Sequence, residues 1–168
     1  MSQPNIILTG FMGTGKSTTG RALAQRLELI FIDTDQLIEE RTGSLITDIF
    51  AQQGETVFRR MESEIAQELA GQRNLVIATG GGFFTNPDNV SVLESGSHIL
   101  CLTATAEEIF KRVKKQGQIR PLLQDPNPLA RINELLRERE KVYQQFPQVA
   151  TSNRTTEQIV DTIIRLLR

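Results

Sequence analysis

The run Gly10-Phe11-Met12-Gly13-Thr14-Gly15-Lys16-Ser17-Thr18 follows directly on an apolar, strand-like segment and has the form of a Walker A motif. Its glycines let successive backbone N–H groups turn inward around phosphate oxygens, where a β-carbon would obstruct them. The helix that follows directs its positive dipole end at the same anion. Gly13, Thr14, Gly15, Lys16, Ser17 and Thr18 are therefore the candidate nucleotide-binding residues. Lys16 is placed to reach the β- and γ-phosphates and Ser17 to ligate Mg²⁺. The pattern implies ATP or GTP with magnesium.

Other chemistry-bearing residues lie further along. Asp33 and Asp35 end a second apolar run, and residues two apart in an extended segment point the same way. Both could face the phosphate cradle, or either could cap the following helix. Glu62 falls inside a helical stripe marked by Phe58, Met61, Ile65 and Leu69, and Arg59, three residues before it on the adjoining edge, can touch it. Such a pair is either structural or holds a guanidinium toward an anionic substrate. Arg139 occupies the apolar row of a later helix (Ile132, Leu135, Leu136, Tyr143). There it needs an anionic partner, unless its stem lies on the core and its head reaches water. Gly80, Gly81 and Gly82 close a buried-strand pattern, either as a turn or as backbone that a ligand approaches closely. Arg120, stiffened by Pro121 in a segment without helical or strand period, suits a lid arginine that stabilises a transferring phosphoryl group. The neighbouring lysines read as a solvated face, and Cys101 and His98 as structural residues.

The elements that must position these groups alternate: short apolar runs and longer helix-like segments, the pattern of a parallel α/β sheet. We expect strands at Asn5–Thr9, Ile30–Asp33, Leu75–Thr79, His98–Thr103 and Gln148–Ser152. Helices are expected at Lys16–Leu27, Gln36–Glu40, Thr47–Gln53, Glu55–Ala70, Asn86–Glu94, Ala106–Lys115, Pro128–Gln145 and Thr156–Leu167.

A chain of 168 residues, 39% hydrophobic and 23% charged, fits one globular domain spanning 1–168. Its net charge of −1 does not suggest a nucleic-acid partner or a membrane surface. No apolar stretch approaches the roughly 20 residues that span a bilayer. No signal or transit segment is recognised, and a single cysteine suits a reducing compartment, so a cytoplasmic location is expected. A monomer is the default.

Taken together, the Walker A run, Asp33-Thr34-Asp35, Phe58-Arg59 with Glu62, Gly80–Gly82, Arg120-Pro121-Leu122-Leu123, and Arg139 with Tyr143 resemble the shikimate kinase family in order and spacing. The resemblance spans Gly10 to Tyr143 and departs from the family pattern at Gln144–Pro147. It implies a three-layer P-loop kinase fold with a five-stranded parallel sheet in the order 2-3-1-4-5. It also implies a mobile lid near 112–126 and a substrate-binding helical region near 34–62. The implied reaction is ATP-dependent phosphorylation of the shikimate 3-hydroxyl, on the route to chorismate and aromatic amino acids. Lys16, Asp35 and Arg120 would be catalytic, and Asp35, Arg59, Gly80, Gly81, Gly82 and Arg139 would bind shikimate. Arg59 and Arg139 would hold its carboxylate. Ser17 and Asp33 would hold magnesium, and Arg112 and Arg154 would meet the adenine. A kinase for another hydroxylated acid such as gluconate would not need two arginines framing a carboxylate. A non-catalytic ATP-binding relative would be expected to have lost some of these residues.

Overall fold

The computed structural model describes residues 3–116 and 125–168. Five parallel strands, β1 (Asn5–Thr9), β2 (Ile30–Asp33), β3 (Leu75–Ala78), β4 (Ser97–Thr103) and β5 (Gln148–Ala150), form one sheet in the order β2-β3-β1-β4-β5. This is the expected order. Eight helices surround it: α1 (Lys16–Leu27), α2 (Thr34–Thr42), α3 (Ile46–Gln53), α4 (Glu55–Ala70), α5 (Pro87–Glu94), α6 (Ala106–Lys115), α7 (Pro128–Tyr143) and α8 (Thr156–Leu166).

The central strands are apolar through their middles because both faces are covered. Ile6, Leu8, Val76, Leu100 and Leu102 pack with Leu23 and Ala24 of α1 and Ile159, Val160 and Ile163 of α8. The alternate residues Ile7, Leu75, Ile77, Ile99 and Cys101 pack with the helices on the other side, from Ile38 of α2 to Ile132 of α7. Period-two alternation thus divides one set of strands between two cores and gives three layers. Cys101 is fully buried, and burial pushes its thiol up to about 11, as suits a packing residue. No helix among the described residues is long and apolar enough to cross a membrane.

Several boundaries differ from expectation for local reasons. The second helix runs over Thr34–Thr42 rather than Gln36–Glu40, because Asp33 caps it immediately through Asp35 N and Gln36 N. It ends where Gly43 takes a left-handed conformation, φ 66°. The third helix starts one residue early, at Ile46. Asn86 is the cap rather than the first residue of α5, and Pro87 takes the first helical position. The last two helices stop short, at Tyr143 and Leu166. β3 and β5 end early, at Ala78 and Ala150, and β4 begins at Ser97. A 3-10 turn over Phe83–Thr85, not anticipated, buries both phenylalanines directly after the glycine run.

At the opposite end of the sheet, the fully buried Asn5 side chain ties β1 to β3. It donates to Gln72 O (2.9 Å) and accepts from Leu75 N (3.1 Å). Asn5→Ala would orphan both backbone groups. Denaturant titration should show a loss of about 1–3 kcal/mol; an unchanged unfolding midpoint would mean that solvent replaces the bridge without cost.

Candidate active site

The carboxyl ends of β1, β2 and β3 open onto one cleft of about 1010 Å³, whose walls include Lys16, Ser17, Asp33, Asp35, Gly80 and Gly81. In open parallel sheets this is the edge at which ligands bind. The phosphate loop forms its floor. Gly10 has φ 134°, and a β-carbon on it would lie 2.3 Å from the Leu102 carbonyl oxygen, so no other residue fits. Gly15, at φ 91°, opens α1 without a side-chain cap, which leaves the helix amides available. Lys16 Nζ arches over the loop and donates to Gly10 O (2.7 Å) and Phe11 O (2.9 Å). Thr14 is buried, with its hydroxyl (2.7 Å) and its backbone N–H (3.4 Å) both turned onto Phe11 O. Thr18 is exposed at the wall of the cleft.

Asp33 performs both functions open to it. One oxygen caps α2, and the other accepts the Ser17 hydroxyl at 2.5 Å. The second strand is thereby locked to the phosphate loop. Thr34, which sequence reasoning passed over, is buried and accepts from Gly80 N at 3.1 Å, joining the same strand end to the glycine run.

Each of the three glycines makes room for a charged side chain. A β-carbon on Gly80 would lie 2.7 Å from Asp35 Oδ1 and 3.1 Å from Glu62 Oε1. One on Gly81 would lie 3.0 Å from Arg139 Nη1, and one on Gly82 2.5 Å from Arg59 Nη2. None of the three has a positive φ, so clearance rather than backbone freedom requires glycine here. The run therefore gathers Asp35, Glu62, Arg59 and Arg139 around one backbone segment.

Electrostatics follow from that crowding. Arg59 donates to Glu62 Oε2 (2.7 Å) and to Glu55 Oε1 (3.1 Å), and Glu62 is 1% exposed. Burial opposes the guanidinium charge, but these carboxylates more than offset it and raise its pKa. Burial pushes Glu62 up to about 7 against the pull of Arg59. Burial, helped by the charge of Asp33, pushes Asp35 up to about 6 against Lys16. Asp35 Oδ1 and Glu62 Oε1 are both buried and lack a hydrogen-bond partner among the described residues. Arg139 has no ion-paired carboxylate among the described residues; its guanidinium lies 5.5 Å from the Phe11 ring centre. Phe11 and Gly81 lie beside its head.

Arg112 bridges the phosphate loop and the end of β5. It donates to Gly13 O (3.1 Å), Thr151 Oγ1 (3.0 Å) and Thr151 O (3.0 Å), and pairs with Glu108. Arg154 sits beyond β5 with its guanidinium on Ala150 O, Gln158 O and the Thr162 hydroxyl. Arg120 lies outside the described residues.

The family model for shikimate kinase matches residues 12–168. The chain belongs to the shikimate kinase family. It is 46% identical to the shikimate kinase of Pelotomaculum thermopropionicum over 165 residues, covering 98% of this chain and 95% of that protein. It is 45% identical to the shikimate kinase of Thermus thermophilus over 163 residues, covering 96% and 89%. Its fold matches the shikimate kinase of Acinetobacter baumannii in complex with shikimate, with a TM-score of 0.91 at 35% identity, covering 98% and 93%. The chain is a phosphotransferase, and its reaction is the ATP-dependent phosphorylation of shikimate.

The raised carboxyl groups link site and stability. Asp35 titrates near 3.8 ordinarily and about 6 in the fold; Glu62 moves from 4.5 to about 7. Between these values the folded protein binds more protons than the unfolded chain, so the stability that both groups contribute at low pH is lost as pH rises through 6 and 7. Asp35→Asn should therefore stabilise the ligand-free protein by about 1–3 kcal/mol at pH 8 and much less at pH 4.5. Urea titration at both pH values reads the difference, and an equal effect at the two would dissociate Asp35 from the pH dependence.

Proposed function

We propose that the described cleft performs this transfer with the following division of labour. The backbone amides of Gly13, Thr14, Gly15, Lys16, Ser17 and Thr18 cradle the β- and γ-phosphates, and Lys16 leaves its own loop carbonyls to meet them. Arg120 closes over the same phosphates from the lid, assigned to residues 112–126. The adenine lies on the Arg112 side, against the loop that Arg154 braces. Ser17 and Asp33 would hold magnesium, directly or through water. Their hydroxyl and carboxylate oxygens suit a hard cation that takes its remaining ligands from phosphate and water. Bound there, the ion would neutralise charge on the β- and γ-phosphates.

Within the acceptor region, assigned to residues 34–62 with Gly80–Gly82 and Arg139, the two guanidiniums frame the shikimate carboxylate. Asp35 orients the 3-hydroxyl. The hydroxyl oxygen bonds to the γ-phosphorus, the bond from that phosphorus to the β–γ bridging oxygen breaks, and ADP leaves. The acceptor proton passes to Asp35, whose pKa of about 6 suits a base near neutral pH. Phosphoryl transfer of this loose kind depends on positioning and charge neutralisation, which the site supplies. A monomer in the cytoplasm is sufficient for this chemistry.

The observation that carries the assignment is the glycine run, where a buried carboxylate with an unpartnered oxygen and two arginines meet beside the phosphate loop. A coupled ADP-release assay with Mg-ATP should show turnover with shikimate and none with gluconate or nucleoside monophosphates. In the same assay Asp35→Asn should lower kcat by roughly two orders of magnitude or more, with KM for ATP within about twofold. Retained turnover in that variant would remove Asp35 from the chemistry.

Gly82→Ala tests the acceptor frame separately. The new methyl meets the tip of Arg59, the movable end of a long side chain, and pushes it off Glu62, so the protein should still fold but with a stability loss of about 1–3 kcal/mol. KM for shikimate should rise roughly tenfold through loss of one charge-assisted contact, while KM for ATP stays constant. Wild-type kinetics in this variant would mean that Arg59 does not hold the carboxylate.

A further inference from the structure

Tyr143, the only tyrosine in the chain, is 6% exposed at the end of α7, yet its hydroxyl is not idle. It donates to Gly81 O at 2.8 Å. Gly81 is the glycine whose missing β-carbon leaves room for Arg139 Nη1, and the same vacant position lies 3.6 Å from Gly10 O and 3.7 Å from Met12 N of the phosphate loop. Arg139 and Tyr143 are four residues apart on α7 and so share a face. Burial raises the Tyr143 pKa against the nearby Arg139 charge, which keeps the phenol a donor at working pH. A guanidinium can only donate, so the hydroxyl can accept from Arg139 while giving its own proton to Gly81 O.

We infer that Tyr143 is a positioning residue for acceptor binding, whose hydroxyl fixes the Gly81 carbonyl and the Arg139 guanidinium in one arrangement before the substrate arrives. The inference rests on Arg139 meeting the acceptor carboxylate. Phe11 lies under the guanidinium and Gly81 beside it, but neither offers Arg139 a side-chain polar atom. The Tyr143 hydroxyl, one helical turn along the same face of α7 and held by Gly81 O, can supply that directional contact. Losing it leaves Arg139 able to swing along its stem and Gly81 O without its donor. The affinity of the carboxylate then falls, while the phosphate loop keeps its own internal hydrogen bonds. A residue that only filled space would not separate the two substrates in this way.

The test is Tyr143→Phe, which removes one oxygen and leaves the ring in the core, with urea titration confirming that the variant is folded. KM for shikimate should rise roughly tenfold, the worth of a hydrogen bond to a charged group, with kcat and KM for ATP within about twofold. With an acceptor analogue whose carboxylate is replaced by a hydroxymethyl group, variant and wild type should perform alike. An unchanged KM for shikimate, a parallel rise in both KM values, or an equal loss on the hydroxymethyl analogue would each overturn the role. Arg139→Ala, measured alongside, separates the two levels. If it leaves KM for shikimate unchanged, the carboxylate reading of Arg139 fails and this inference with it. If it raises KM while Tyr143→Phe does not, only the inference about Tyr143 fails.

Discussion

Two carboxylates and two guanidiniums share one end of the sheet, and none would be stable there alone. Removing a charge from water carries a penalty that only an opposite charge or a set of hydrogen bonds can offset. Arg59 is held by Glu62 and Glu55, and Arg139 leans on the aromatic face of Phe11 beside Gly81. Asp35 and Glu62 each keep one oxygen without a partner among the described residues. Space for all four comes from Gly80, Gly81 and Gly82, because a single methyl group at any of these positions would displace a charged head. The cluster can form only where the backbone has no side chains of its own.

That constraint reaches into the phosphate loop. Asp33 receives the Ser17 hydroxyl and caps α2, Thr34 receives Gly80 N, and Gly81 rests against Gly10 and Met12. Three consecutive residues, Asp33-Thr34-Asp35, thus bond the phosphate loop, bond the glycine run and line the cleft in turn. Strand and helix geometry explains why this works: the first ends the strand, the second begins the helix inside the core, and the third faces the cleft. A shift of one residue would send the carboxylates to the wrong partners.

The sheet was legible in the sequence because buried parallel strands are short, apolar and bounded by polar residues. Helix ends were less so, since Asp33 caps α2 three residues before the expected start and Asn86, expected as the first helical residue, is itself the cap. The site residues were legible as types: Asp35 as a carboxylate at a strand end, Arg59 as a charge at the edge of an apolar stripe, and Arg139 as a charge on an apolar row. Their partners were not. Nothing in a run of three glycines says which side chains fill the space above them, because that depends on helices 20 to 60 residues away in the chain. Tyr143 was read as a core marker, which its ring is; its hydroxyl contact to Gly81 spans 62 residues and has no local signature. The links from Arg112 to Gly13 and Thr151 were hidden for the same reason.

The cleft is also the least comfortable part of the fold, and this is consistent with its chemistry. Carboxyl groups pushed up to about 6 and 7 are charged reluctantly near neutral pH. An acceptor bearing hydroxyl donors and a carboxylate would satisfy the orphan oxygens and the guanidiniums together, so binding and local stability must be linked. The same strain that weakens the ligand-free protein favours a bound anion with donor groups on its far side. Discrimination then follows from the protein's own unmet needs: a ligand lacking either the carboxylate or the hydroxyls leaves a buried polar group unpaired, which is penalised more heavily than a mere gap in packing.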